Sequence, residues 1–239
     1  MSKRIAIIQS CYIPWKGYFD LIRRVDEFIL YDDAQFTKRD WRNRNRIKTP
    51  AGTAWLTVPV AVKGRYLQPI RETRVSDPQW AGRHWRSIQA SYARAPYYAM
   101  FKDVIEDLYR GCTTEWLSEV NFRFIARFCE MLGIRTRLSW SMDYTLGEGR
   151  TERLVTLCRQ AGATEYLSGP AARAYIEPQC FADAGIALSY MDYEGYPEYE
   201  QLYPPFDHHV SLIDLFVHTG PDAAAYLRSA PDRTARVAD

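Results

Sequence analysis

Six cationic side chains crowd one short stretch, where Lys38, Arg39, Arg42, Arg44, Arg46 and Lys48 are interleaved with Asp40, Trp41, Asn43 and Asn45. In an extended strand successive side chains point to opposite faces, so Arg42, Arg44 and Arg46 are expected on one face and Asn43 and Asn45 on the other, all five, with Lys38, being read as substrate contacts. Three guanidinium forks in a row suit a diphosphate or the phosphate of a carrier arm, with Trp41 or Trp55 placed to stack on a base or sugar. The same charges would also serve a solvated edge strand by blocking aggregation.

A second group lies in the run from Gln9 to Tyr18, which holds Cys11, Tyr12, Trp15 and Lys16. A helix starting at Gly17 would favour a thiolate near its free N–H groups, so Cys11 is expected to have a lowered pKa and act as a nucleophile. The alternative is a small core residue. Its base would come from the C-terminal end: either His208 or His209, beside Asp207, or His218, which stands one helical turn after Asp214 and shares its face. Gln9, Tyr12, Trp15 and Tyr18 are read as substrate contacts and Lys16 as a phosphate contact. Asp32 and Asp33, with Gln35 just beyond, could bind a substrate amine, hold Mg²⁺ through a phosphate or supply a general base. They could equally form an Asx-type turn that pairs with nearby arginines. Ser168, before Gly169-Pro170, marks a further anion-receptive helix start. No His/Cys cluster has metal-ligand spacing, so no zinc is expected, and no tightly bound cofactor.

These groups need elements to position them. Arg4 to Gln9 is an Ile-rich strand, Tyr18 to Val25 is amphipathic and helical, and Glu27 to Tyr31 is a second buried strand, which together predict a βαβ unit with a parallel pair. Trp41–Lys48 and Thr53–Val60 alternate about the turn Thr49-Pro50-Ala51-Gly52 and predict a hairpin. From about 78 to 133 the apolar spacing becomes helical, with breaks near Ala95-Pro96 and Gly111-Cys112. Strands follow at Thr136–Trp140, Glu165–Leu167 and Ile186–Tyr190, with a helix at Thr151–Ala161. The expected fold is α/β: a Rossmann-like, mainly parallel sheet with a β-hairpin and a helical insert, forming a single domain over 1–230, with 231–239 a disordered tail. In such sheets, loops at the carboxyl ends of the strands line the ligand crevice, here Gln9–Lys16 and Asp32–Phe36.

Composition narrows the partners. The 239 residues carry 31 Lys and Arg against 29 Asp and Glu, a net charge of +2, so the chain lacks the global field of a nonspecific nucleic-acid binder. The 17 Tyr and 7 Trp exceed an ordinary share and fit a wet, aromatic-walled cleft. Five Cys form no CxxC pair and leave an odd thiol, which points to a reducing compartment. With no signal-peptide region and no apolar run long enough to span a bilayer, a cytoplasmic location is expected.

Three segments, read together, resemble the WbqC-like protein family: IIQSCYIPWKGYFDLI (Ile7 to Ile22), FILYDDAQFTKRDWRNRNRIKTPAGTAWLTVPV (Phe28 to Val60), and EYLSGPAARAYI (Glu165 to Ile176) with HVSLIDLFVHTGP (His209 to Pro221). The resemblance implies a bacterial protein of surface-polysaccharide or other biosynthetic clusters and carries no settled reaction. Position 11 is Cys here, where many members have Asn or another residue, so thiol chemistry would belong to a subset of the family.

The expected function is a biosynthetic transferase on small molecules or glycan precursors, moving an acyl or aminoacyl group from a phosphate-bearing donor such as a carrier-protein thioester to an amine. Nucleotidyl transfer is the alternative. Nucleotidyltransferases with an HxGH signature place it at this strand-to-helix junction, where Trp15-Lys16-Gly17-Tyr18 stands with neither histidine. A non-catalytic sugar-nucleotide or carrier-protein binding subunit is a third reading.

Overall fold

The computed structural model describes residues 2–228, and the expected frayed tail at 231–239 lies outside them. Among the described residues are seven strands, β1 (Arg4–Ile8), β2 (Glu27–Leu30), β3 (Arg44–Thr49), β4 (Gly52–Thr57), β5 (Arg137–Trp140), β6 (Glu165–Ser168) and β7 (Ala187–Tyr190). Seven helices accompany them: α1 (Lys16–Arg23), α2 (Trp80–Tyr92), α3 (Tyr98–Arg110), α4 (Leu117–Met131), α5 (Arg150–Gln160), α6 (Pro178–Asp183) and α7 (Leu212–Thr219). Five strands form one parallel sheet in the order β5-β2-β1-β6-β7, and β3 pairs with β4 in a separate antiparallel hairpin.

The parallel sheet is apolar on both faces, as helix-covered sheets must be. Ala6, Phe28 and Leu30 face a core shared with α1, the α2–α4 lobe, α7 and the hairpin, whereas Ile5, Ile7 and Ile29 face a second core with α5 and α6. In α4, Leu117, Val120, Asn121, Phe124, Ile125 and Phe128 make one buried stripe at helical spacing. The lobe breaks where the sequence predicts, before Tyr98 and after Arg110. No helix among the described residues is long and apolar enough to cross a membrane.

The strand order reverses at β1: the chain runs outward through β2 and β5, then returns to place β6 on the other side. That reversal opens a crevice beyond the carboxyl ends of β1 and β6. The hairpin is shorter than its sequence suggests. It closes on Pro50-Ala51, with Thr49 opposite Gly52, whose φ of +107° favours glycine. Before Arg44 the chain leaves the ladder to meet the β1–α1 loop, where the Trp41 carbonyl accepts the Tyr12 N–H at 3.0 Å.

Tyr12, expected at the substrate, is instead a core residue. His84 Nε2–H donates to the Thr57 carbonyl at 3.1 Å, which leaves Nδ1 to accept from the Tyr12 hydroxyl at 2.8 Å. The Tyr109 hydroxyl completes the chain at 2.7 Å. Burial disfavours the charged imidazolium and lowers the His84 pKa to about 4. The folded chain therefore takes up this proton later than the unfolded one, so stability falls as pH drops from about 6.5 to about 4, by about 3 kcal/mol. Urea unfolding at pH 7 and pH 4 should show a larger acid loss for wild type than for His84→Gln.

Candidate functional site

The loop joining β1 to α1 is buried although it has no regular structure, with Ser10, Tyr12 and Ile13 at 0% exposure. Its main-chain groups are met one by one. Asp32 accepts the Ser10 N–H at 2.9 Å, and the Leu212 N–H reaches the Pro14 carbonyl at 2.9 Å. The Asn45 amide donates to both the Tyr12 and Ile13 carbonyls, at 3.1 and 2.9 Å. Between those bonds Ile13 is held at φ +37°, an uncommon conformation for a β-branched residue. Asn121 on α4 ties the loop to the hairpin, donating to Ser10 Oγ and to the Arg42 carbonyl, both at 2.9 Å.

A small, mostly apolar pocket of about 190 Å³ sits against this loop, lined by Cys11, Pro14, Trp15, Tyr18, Trp41, Asn45 and His209. It brings Cys11 together with one of the three nominated histidines. His209 stacks on the Trp15 indole at 5.3 Å, and its Nδ1 stands 3.5 Å from Asp207 Oδ1. The indole in turn lies over Gly17, where a Cβ would meet it at 2.2 Å, so only glycine lets Trp15 form this wall. Cys11 Sγ accepts from Arg42 Nη1 at 2.8 Å. Burial nevertheless pushes the thiol up to about 11, with Arg42 offsetting only part of that rise. The lowered pKa expected from the sequence is therefore corrected: α1 begins at Lys16, five residues beyond Cys11, and a helix end acts over about one turn.

The arginines divide their work. Arg42 turns inward to Cys11 and to the Gln9 carbonyl, so the three forks do not form a row. Arg44 and Arg46 stay on the outer face. The Arg44 guanidinium lies 4.0 Å over the Trp55 ring, and Trp55 packs against Trp41 at 5.3 Å, both indoles being at least 40% exposed. Arg46 reaches the His209 carbonyl at 3.0 Å and Asp207 at 3.4 Å, fixing the segment that carries His209. On the opposite face Asn43 and Asn45 are buried, and the Asn43 amide donates to Val58 O at 2.8 Å.

Other nominated residues are placed elsewhere. Asp32 is wholly buried, accepts Ser118 Oγ–H at 2.6 Å and has its pKa raised by burial, which makes it an anchor of the loop. Asp33 accepts from Ser141 at 2.6 Å and pairs with Arg71 at 3.2 Å. Lys16 is 3% exposed, donates to the Pro197 carbonyl at 2.6 Å beneath the rings of Tyr196, Tyr199 and Phe206, and burial lowers its pKa to about 8. It is not positioned as a phosphate contact. His218 uses both ring nitrogens: Nδ1–H donates to the Asp214 carbonyl at 2.7 Å and Nε2 accepts the Leu202 N–H at 3.1 Å. Asp214 accepts from Tyr92, Tyr199 and Gln201, so the pair braces α7 rather than reaching Cys11. His208 packs edge-on to Phe206 at 4.5 Å. Ser168 is buried, with its hydroxyl 3.3 Å from the Tyr166 hydroxyl, and Lys48 donates to the Pro205 carbonyl. Lys38 is exposed and lines neither cavity described here.

The switch-point crevice, about 570 Å³, is lined by Gln9 and Gln35, as expected, and also by Tyr31, Arg150, Arg153, Tyr166 and Tyr175. The two cavities meet at Gln9. It lines the crevice, and its carbonyl accepts from Tyr18 Oη at 3.1 Å, beside the Cys11 pocket.

The model of the WbqC-like protein family matches residues 9–226. The chain belongs to that family. A similar relative is the Uncharacterized protein Rv1507c of Mycobacterium tuberculosis, 51% identical over 226 residues, which are 95% of this chain and 98% of that protein. No solved structure matches this WbqC-like chain.

Sequence reading missed Arg150, Arg153 and Tyr175, which lie more than a hundred residues from the loop; the signal was Glu148-Gly149 breaking the chain just before Arg150. It also took Asn45 for a ligand contact. Removing that amide leaves two buried carbonyls without a donor, so Asn45→Ala should lower stability by about 2–4 kcal/mol in urea unfolding at pH 7.

Proposed function

We propose that this protein is a biosynthetic transferase that moves a small acyl or aminoacyl group from a phosphate-bearing thioester donor to an amine. One observation carries the reading: a single apolar pocket joins Cys11, His209 and two tryptophans, and its wall Trp41 belongs to the outer platform of Arg44, Arg46 and Trp55. The donor's phosphates meet Arg44 and Arg46, and the thioester end enters between Trp15 and Trp41.

The transfer proceeds by attack of Cys11 Sγ on the thioester carbonyl. The new S–C bond forms, the bond to the carrier sulfur breaks, and the proton leaving Cys11 passes through His209 to the departing carrier thiol. The amine nitrogen then attacks the Cys11 thioester carbonyl: the C–N bond forms, the C–S bond breaks, and the proton lost by the amine passes through His209 back to the Cys11 sulfur. With the thiol's pKa near 11, about one molecule in 10⁴ is thiolate at pH 7, so the proton must leave as the S–C bond forms. Asp207 orients His209 for that task, and Arg42 stabilises the negative charge on sulfur.

The protonated resting state of Cys11 favours a second reading, nucleotidyl transfer, in which the arginines stabilise the developing phosphate charge and Cys11 is incidental. Intact-protein mass spectrometry after incubation with acyl- and aminoacyl-carrier thioesters separates the two. The first reading expects an adduct on wild type and none on Cys11→Ser; no adduct on either, with competent donors, removes thiol transfer and leaves the second.

A further inference from the structure

We propose that the crevice beyond the carboxyl ends of β1 and β6 is a binding site for a nucleoside diphosphate group. As the site of the amine acceptor it would rest on the transferase reading above; as a binding site it stands without it.

The cavity is of small-molecule size, about 570 Å³. Among the described residues its only charged lining residues are Arg150 and Arg153, three positions apart at the start of α5 and therefore neighbours on one turn. No carboxylate lines it, and neither arginine has one within ion-pair distance among the described residues. Arg150 lies over the Tyr175 ring at 5.3 Å, and Arg153 Nε donates to the Gly147 carbonyl at 3.0 Å, which orients both guanidinium groups without neutralising them. Two uncompensated forks of this kind match the adjacent phosphates of a diphosphate, each able to take a bidentate contact.

The remaining walls suit a ring and its polar edge. Tyr31 and Tyr175 give two aromatic walls, with Tyr175 44% exposed, and Ile7, Ile8, Leu154 and the buried Tyr166 give the floor. Gln35 donates to the Tyr66 carbonyl at 2.9 Å and so presents an oriented amide, while the Gln9 amide has no hydrogen-bond partner among the described residues. An amide carries both donors and an acceptor, the complement of a base or sugar edge. A ligand seated here touches Gln9, whose carbonyl accepts from Tyr18, Arg42 and the Cys11 thiol at 3.1, 3.4 and 3.7 Å. The crevice thus abuts the pocket through a single peptide group.

The test is isothermal titration calorimetry of the full chain with UDP, GDP and ADP, each at millimolar concentration. At least one should bind, and Arg150→Gln with Arg153→Gln should weaken it about tenfold or more. Both arginines are exposed, and circular dichroism confirms that the variant is folded; Tyr175→Ala, also at an exposed position, should weaken the same ligand. Absence of binding by all three diphosphates, or affinity unchanged in the folded double-arginine and tyrosine variants, overturns the proposal. Cys11→Ser should leave this binding unchanged, so failure of thiol transfer and failure of the nucleotide site are read separately.

Discussion

A loop with no regular structure lies largely buried between β1 and α1, and its buried polar main-chain groups need partners from within the protein. The carboxylate of Asp32, the carbonyl of Trp41 with the amide of Asn45, and the N–H of Leu212 come from three different places in the chain to supply them. Much of the arrangement follows from this. The end of β2 must carry a buried acid, the hairpin must lie on the loop, and α7 must begin where Pro14 ends. A strained Ile13 is tolerated because Asn45 holds the carbonyls on both sides of it.

The hairpin serves two environments with one alternation. Inward positions deliver amides to the loop and outward positions deliver cations to an exposed pair of indoles, so a stretch of dense positive charge is neither wholly solvated nor wholly functional. Arg42 lies outside the paired strand and escapes the alternation, which lets it reach sulfur. A guanidinium at 2.8 Å does not make Cys11 a thiolate, since the cost of burying that charge exceeds what one partner returns.

The βαβ start, the parallel pairing, the hairpin turn and the breaks between lobe helices were legible because each depends on apolar period or on a Gly or Pro at a fixed place. The polar residues were legible as important and not as to role. Asp32, Asn45, Tyr12 and Lys16 all sit in segments where a ligand contact is a fair reading, yet each is spent on the protein's own carbonyls, amides or rings. Burial of a polar side chain is set by what packs over it, and the partners here, Ser118, Tyr109 and Pro197, lie about 85 to 180 residues away along the chain. The pairing of Cys11 with His209 rather than His218 has the same origin: it depends on the path of residues 191–210, which have no strand or helix to announce it.

That path is fixed by its own tyrosines and Gln201 reaching outward and by side chains reaching in from elsewhere. Lys16, Lys48 and Arg46 each donate to one of its carbonyls, at Pro197, Pro205 and His209. These cations belong to α1 and β3, which leave the ribosome well over a hundred residues before their acceptors. The cradle is therefore synthesised before the segment it will hold, and until that segment emerges the pocket lacks one wall and its imidazole. A chain truncated before residue 191 would keep the Cys11 sulfur and Arg42 beside it but lack His209, so the pocket begun by the first twenty residues is closed only by the last forty described.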